Sequence, residues 1–384
     1  MKRSEHRILT THVGSLVRPQ ELRDLAPQGE APKDLNHYND VLRRQTTEVV
    51  RKQAAVGIDI VSDGEYGKAS WANYVLQRIS GFEIRAEQRR PIYWLGRDRE
   101  RFKEAILQEM PRLAEGTVTE ACVAEIRYQD HAAIDRAIDN MKAALANLEG
   151  VKVEEGFLTA VAPASTAYDG INEYYKSEHD YVYAIADALR QEYQAIHQAG
   201  LLLQVADAVL ANMYDHLVEQ SPEKYREWAN LRVEALNHAL QGIPEDRVRY
   251  HVCFGSWHLP HVADAPLDAI VDLILKVNAG AYSIEAANVR HEHEWRVWQT
   301  KKLPAGKILI PGVITHHTIT VEHPQSVADR IVRFAKLVGR ENVIAGSDCG
   351  FAQVDFIQRV HPTVMWAKFE SLVEGARLAT KELW

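Results

Sequence analysis

The chain has 384 residues, 46% of them hydrophobic and 26% charged, with 45 Lys and Arg against 53 Asp and Glu and a formal net charge of −8. That balance offers no basic face for counterion-release binding and excludes nucleic acid as a partner, while no apolar stretch approaches the ~20 residues that span a bilayer. Three cysteines are too few for a disulfide framework, and Met1-Lys2-Arg3-Ser4-Glu5-His6 leads into no signal-peptide core, so a cytoplasmic protein with reduced thiols and no membrane partner is expected.

Short apolar runs bounded by Gly, Asp or Ser alternate with stretches of helical spacing, the pattern of a parallel sheet with crossover helices. In chain order the strands are expected at Ile8–Val13, Ile58–Ser62, Gly156–Val161, Leu201–Val205, Val248–Cys253, Ala281–Ile284, Lys307–Pro311 and Asn342–Ala345. Apolar residues three and four apart predict helices over Asp40–Ala55, Asp180–Ala199, Lys224–Leu240, Leu267–Val277, Pro324–Val338 and Pro362–Ala379. This alternation predicts an α/β fold, a (β/α)8 TIM barrel forming a single domain over residues 1–384. One segment does not fit a single crossover. Gly81–Leu148 is expected as an insertion between strands two and three, with Pro91–Leu95 and Cys122–Tyr128 as a strand pair, followed by a helix.

Barrel active sites lie at the carboxyl ends of the strands. Polar residues stand at those ends in Thr11-His12-Val13-Gly14-Ser15, Asp63-Gly64-Glu65, Ala206-Asp207, His251-Val252-Cys253, Glu285, His316-His317 and Ser347-Asp348-Cys349-Gly350. His251 and Cys253 are two apart on a strand and so share a face, with Val252 turned away. A closed barrel brings them together with Glu285 and Cys349, and two sulfurs, a nitrogen and an oxygen suit tetrahedral zinc better than magnesium or calcium. A lone Cys on an apolar strand is ordinarily a small core residue, the reading expected for Cys122. What singles out the four ligands is that each falls independently at the same end of the barrel. The run His291-Glu292-His293-Glu294 lacks the His-Glu-x-x-His spacing and is expected to be a solvated loop. His258 and His261 are also expected in loops. His316 and His317 are candidate general acids; being adjacent, they point to opposite faces of an extended chain, and only one looks into the barrel.

These motifs resemble the cobalamin-independent methionine synthases and their zinc-dependent alkyltransferase relatives over nearly the whole chain. Thr11-His12-Val13-Gly14-Ser15 is similar to that family's opening strand and turn, Asp63-Gly64-Glu65 to its second-strand acid, and His251-x-Cys253, Glu285 and Asp348-Cys349-Gly350 to its zinc ligands. The segments Glu285-Ala286-Ala287-Asn288, Arg290 to Trp295 and Arg359-Val360-His361-Pro362 look most like the short, single-barrel members. The resemblance implies a zinc cofactor that binds a small-molecule thiol as thiolate, which attacks an alkyl donor such as a methylated folate. It implies that Ser15 and Glu65 hold the tail of the thiol and that His317, or His316 in the short relatives, supplies the proton. A homo-oligomer is compatible with it.

Two departures bear on the substrate. Methionine synthases carry Asp-Glu-Pro after the Gln of strand four, and that Asp grips the amino group of homocysteine; here Gln204-Val205-Ala206-Asp207-Ala208 puts Ala206 in its place and leaves Asp207 as the substitute. The family's pterin-stacking Trp after strand three is replaced by a stretch whose nearest ring is Tyr168. Methyl transfer to a thiol is the expected reaction. The alternatives are thiol addition to an epoxide, as in the epoxyalkane:coenzyme M transferases, with Arg18 and Arg290 as sulfonate partners, a zinc-dependent hydrolase, and a structural zinc site without catalysis.

Overall fold

The computed structural model describes residues 1–27, 30–111, 115–148, 150–168, 170–354 and 359–384. Its strands, in chain order, are β1 (Leu9–Thr10), β2 (Ile60–Ser62), β3 (Phe82–Arg90), β4 (Thr117–Cys122), β5 (Glu155–Val161), β6 (Gly170–Asn172), β7 (Leu202–Asp207), β8 (Val248–Val252), β9 (Ala281–Ile284), β10 (Ile308–Ile314) and β11 (Ile344–Ser347). Eight of them pair in parallel in the order β1-β11-β10-β9-β8-β7-β5-β2, and all eight lie on the expected apolar runs. The two ends of this sheet meet at Asp59: its N–H donates to the Thr10 carbonyl at 3.1 Å and its carboxylate accepts from the Thr10 N–H at 2.8 Å. Thr11 Oγ1 also donates to the Ile60 carbonyl at 3.0 Å. The result is a near-closed TIM barrel.

Period-two alternation divides each strand between two cores. Leu9, Ile60, Phe157, Leu202, Ala281, Ile308, Ile310 and Ile344 point inward from seven strands and pack as one layer. From the remaining strand, β8, Arg249 enters the barrel, donates to Thr11 Oγ1 and the His12 carbonyl, and lies over the Phe157 ring at 4.1 Å. Outward-facing residues such as Val61, Leu158, Val205, Tyr250 and Leu309 join the apolar faces of the surrounding helices. Those helices include Leu35–Val56, Glu178–Gln198, Pro222–Ala239, Leu267–Ile274, Pro324–Val338 and Pro362–Leu383, each on its expected segment. Asp34, Ser177 and Ser221 cap three of them by accepting from the N–H three residues on. Among the described residues no helix is long and apolar enough to cross a membrane.

The expected strand pair between Gly81 and Leu148 is displaced. The strands are β3 and β4, antiparallel, with β6 added on the far side of β4. Pro91 ends β3, since it has no N–H to give the ladder, and Tyr93–Leu95 forms a short 3₁₀ turn. Ile92 and Leu95 pack with Ile106 in a small cluster against Trp94 and Trp257. Sequence pattern misplaced the pair because β3 reads Phe-Glu-Ile-Arg-Ala-Glu-Gln-Arg-Arg and is mostly solvent-facing, whereas 91–95 is apolar for the sake of that cluster. Cys122 ends β4 and is fully buried in the main core, as expected. The helix that follows runs over His131–Ala146; residues 112–114 of this segment lie outside the described residues.

Candidate metal centre and active site

β8 and β11 deliver the thiols. His251 on β8, Cys253 just past its end and Cys349 just past β11 are buried, and each offers a ligand atom within 4.8 Å of the other two. The sulfurs stand 3.4 Å apart. Contact with Cys349 and burial push the Cys253 thiol up, while Cys253 and His251 hold Cys349 well below the ordinary thiol range. The Gly255 N–H donates to Cys253 Sγ at 3.3 Å, and Ser256 Oγ lies 3.4 Å from it. His251 Nδ1 is 3.3 Å from Ser283 Oγ, while its Nε2 is buried with no hydrogen-bond partner among the described residues. A buried ring nitrogen without a partner calls for an explanation. One imidazole nitrogen beside two sulfurs is a donor set that fits zinc.

Glu285, the fourth expected ligand, falls in an adjoining buried group with His316 and Asp348. Its Oε1 accepts from the Phe254 N–H at 3.0 Å and its Oε2 from Asn288 Nδ2 at 2.8 Å. Burial, followed by the charges of Asp348 and Cys349, pushes its carboxyl well above the usual range. Asp348 fixes this corner by accepting from the N–H groups of Ala286, Ala287 and Asn288, each at 2.8 Å. Of the two adjacent histidines, His316 is the fully buried one, and neither of its ring nitrogens has a partner among the described residues. His317 is half-buried, its ring 5.9 Å from that of His258. Burial, then the neighbouring His258, lowers its pKa to about 4.

The sulfurs open onto a cavity of about 810 Å³ whose walls include Ser15, Glu65, Tyr168, Ala206 and Asp207. Gly350 lets Ser15 approach, since a Cβ there would meet Ser15 Oγ at 2.0 Å. Glu65 is buried and sits at φ 58°, a left-handed conformation that costs a non-glycine residue ~1–2 kcal/mol. Its Oε1 accepts from Thr159 Oγ1 at 2.6 Å, and its Oε2 is buried without a partner among the described residues. Burial raises its carboxyl pKa, opposed by the nearby Lys68 ammonium. Asp207 is committed elsewhere. Its carboxylate accepts from Ser165 Oγ at 2.7 Å, the Leu210 N–H at 3.2 Å and the Tyr250 hydroxyl at 2.9 Å.

Several lining residues escaped the sequence reading: Trp71, Trp94, Trp257, Gln353 and Arg359. Arg359 donates to Gln353 Oε1 at 2.6 Å, lies near both thiols and is lowered to about 10 by burial. Neither arginine expected at the cavity is there. Arg18 donates to the carbonyls of Ala352, Glu65 and Lys68, and Arg290 to that of Val262. The loop expected to be solvated is partly buried, since His291 is clamped between Glu294 at 2.9 Å and Asp264 at 3.2 Å. His258 and His261 lie in a loop, as expected.

A family model described as "Cobalamin-independent synthase, Catalytic domain" matches residues 8–368. The methionine synthase of Thermococcus kodakarensis is 23% identical over 382 residues, covering 97% of this chain and 94% of the relative. That of Saccharolobus solfataricus is 23% identical over 381 residues, covering 97% and 95%. Among solved structures, a B12-independent methionine synthase from Shewanella sp. W3-18-1 in complex with selenomethionine superposes with a TM-score of 0.73 at 18% identity, covering 98% of this chain and 99% of that one. That likeness shows the shared fold.

Proposed function

Since the chain belongs to the family of cobalamin-independent synthase catalytic domains, we propose that it is a zinc-dependent transferase that moves a methyl group onto a small thiol such as homocysteine or a relative of it. In this reading residues 1–384 form one catalytic unit, with about 81–148 as an insertion. His251, Cys253 and Cys349 would hold the zinc, and Glu285 would be the fourth ligand. When bound, zinc supplies the positive charge that keeps an acceptor thiol deprotonated at neutral pH, where a thiol of pKa near 8.5 is mostly protonated.

The rest of the work falls to side chains of this chain. Ser15 and Glu65 hold the polar tail of the acceptor, Glu65 through its unpartnered oxygen. Arg359, beside the sulfurs, faces an anionic end of the acceptor, a role in which Arg18 and Arg290 are unavailable because they serve backbone carbonyls. Asp207 braces the end of β7 and does not replace the family's aspartate at Ala206, so an amino group on the acceptor would pair with Glu65 instead. Tyr168 belongs to the donor side of the cavity. A leaving group that needs a proton would take it from His316 or His317.

The observation that carries this reading is the convergence of the buried His251, Cys253 and Cys349 in the wall of the cavity. Replacement Cys349→Ala is expected to abolish both bound zinc, measured by elemental analysis, and methyl transfer to thiols. A zinc-free Cys349→Ala protein with full activity would refute the mechanism. X-ray absorption at the zinc edge should register one additional sulfur when the correct thiol is added, which also identifies the acceptor.

A further inference from the structure

Four aromatic rings form an arc that starts and finishes at the sulfur pair. Trp71 packs against the cluster containing Cys253 and Cys349. Tyr168 lies nearly parallel to Trp71, centroids 6.1 Å apart and 19° between planes. Trp94 stands edge-on to Tyr168 at 6.4 Å and 78°, and Trp257 follows at 4.7 Å and 43°. The Trp257 indole lies across Gly255, where a Cβ would meet it at 2.2 Å, two residues from Cys253. All four rings line the cavity.

We infer, on the reading of this site as a thiol methyltransferase, that the arc binds an onium methyl donor, a small compound whose methyl group is carried on a positively charged sulfur or nitrogen. Trp71 and Tyr168 are near-parallel, but Trp94 stands steeply to Tyr168 and Trp257 is tilted from Trp94, so the set presents negative ring faces from more than one direction, the arrangement that attracts a compact cation. The charges on the wall agree, with the carboxylates of Glu65, Glu109 and Glu120 set against Arg89 and Arg359. The chemistry agrees as well. Among the described residues, neither His316 nor His317 lines the cavity, and an onium donor needs no acid. The acceptor thiolate's electron pair forms the new S–CH₃ bond, and the C–S⁺ or C–N⁺ bond breaks with its pair returning to the donor atom. The donor leaves as a neutral thioether or tertiary amine, and no proton moves.

The test measures binding to the full chain by tryptophan fluorescence and calorimetry, using trimethylsulfonium, tetramethylammonium, choline and 3,3-dimethylbutan-1-ol, the uncharged carbon analogue of choline. Saturable binding of the cations is expected, with choline about 10-fold or more tighter than its neutral analogue. Trp71→Leu and Tyr168→Leu should each weaken the cations about 10-fold, and Trp71→Phe should restore most of the loss. Mass spectrometry with deuterated trimethylsulfonium and tetramethylammonium, over a panel of thiols, then separates a sulfur donor from a nitrogen donor. Equal affinity for choline and its neutral analogue, or cation binding unchanged in Trp71→Leu, overturns the inference. Should cation binding fail while a methyltetrahydropterin still donates in a Cys349-dependent manner, the onium assignment falls and thiol methylation stands. If Cys349→Ala instead keeps its zinc and its transfer, the assignment of Cys349 to the zinc site falls, and the binding data still decide what the arc holds.

Discussion

At Asp348 one carboxylate gathers three backbone N–H groups and the Asn288 side chain, and so holds in place the turn that carries Glu285. The neighbouring residue is Cys349, so one short stretch after β11 both supplies a thiol and braces the carboxylate beside it. Gly312 makes room for this arrangement, since a Cβ there would meet Asp348 Oδ1 at 2.1 Å. Hydrogen bonds to a charged acceptor contribute ~1.5–3 kcal/mol each, and the asparagine analogue offers a neutral acceptor with one oxygen fewer. Asp348→Asn is therefore expected to cost ~2–4 kcal/mol in urea unfolding and to lower zinc content by elemental analysis. Unchanged stability and full zinc occupancy would mean that the turn is held by other contacts.

The loop from Ala286 to Arg296 is an element anchored by charge. Burial disfavours the charged form of His291, but hydrogen bonds to Asp264 and Glu294 outweigh it and raise its pKa to about 10 from the ordinary 6.5. Glu285 also faces it and adds in the same direction. Against the cost of burial, His261 and His291 hold Asp264 down to about 2. The sign follows from linkage: with the folded pKa raised, the stabilisation from His291 is complete below about 6.5 and disappears as pH rises through about 10. His291→Ala leaves buried Glu294 without its cation and Asp264 with His261 alone, and should cost ~3–5 kcal/mol at pH 7. The gap between wild type and variant in urea midpoint should narrow as pH is raised toward 10; a constant gap would show that the imidazolium is not the stabilising form. Sequence pattern missed this clamp because Asp264 is 27 residues away from His291, and a run of alternating His and Glu carries no record of which members are buried.

For the molecule as a whole, the barrel's stability and its metal-ligand groups are separable. The inner layer from Leu9 to Ile344 and the outer core against the helices contain none of the proposed ligands, so the fold does not need an ion to close. Stripping metal with a chelator should leave the far-UV circular dichroism intact and lower Tm by only a few degrees, about 1–2 kcal/mol for a chain of this size. Unfolding on chelation would place the site in the structural class of zinc centres. The strands and most helices were legible because apolar period and capping residues are local signals. Asp34, Ser177 and Ser221 announce helix starts by the chemistry of one side chain. The charged, solvent-facing strand β3 has no such signal and was read in the wrong place.

From sequence alone came the barrel and the identity of His251, Cys253 and Cys349 as residues at one mouth, because strand periodicity and strand ends decide facing and side without knowledge of the partner strands. Only the tertiary structure decided that Glu285 joins His316 and Asp348, that Asp207 is occupied by Ser165, Leu210 and Tyr250, and that Arg359 rather than Arg18 reaches the cavity. Those outcomes depend on which hydrogen-bond donors and rings arrive from distant segments. Spacing along a chain holds no such information, since buried polar groups take whichever partner the folded packing brings within reach.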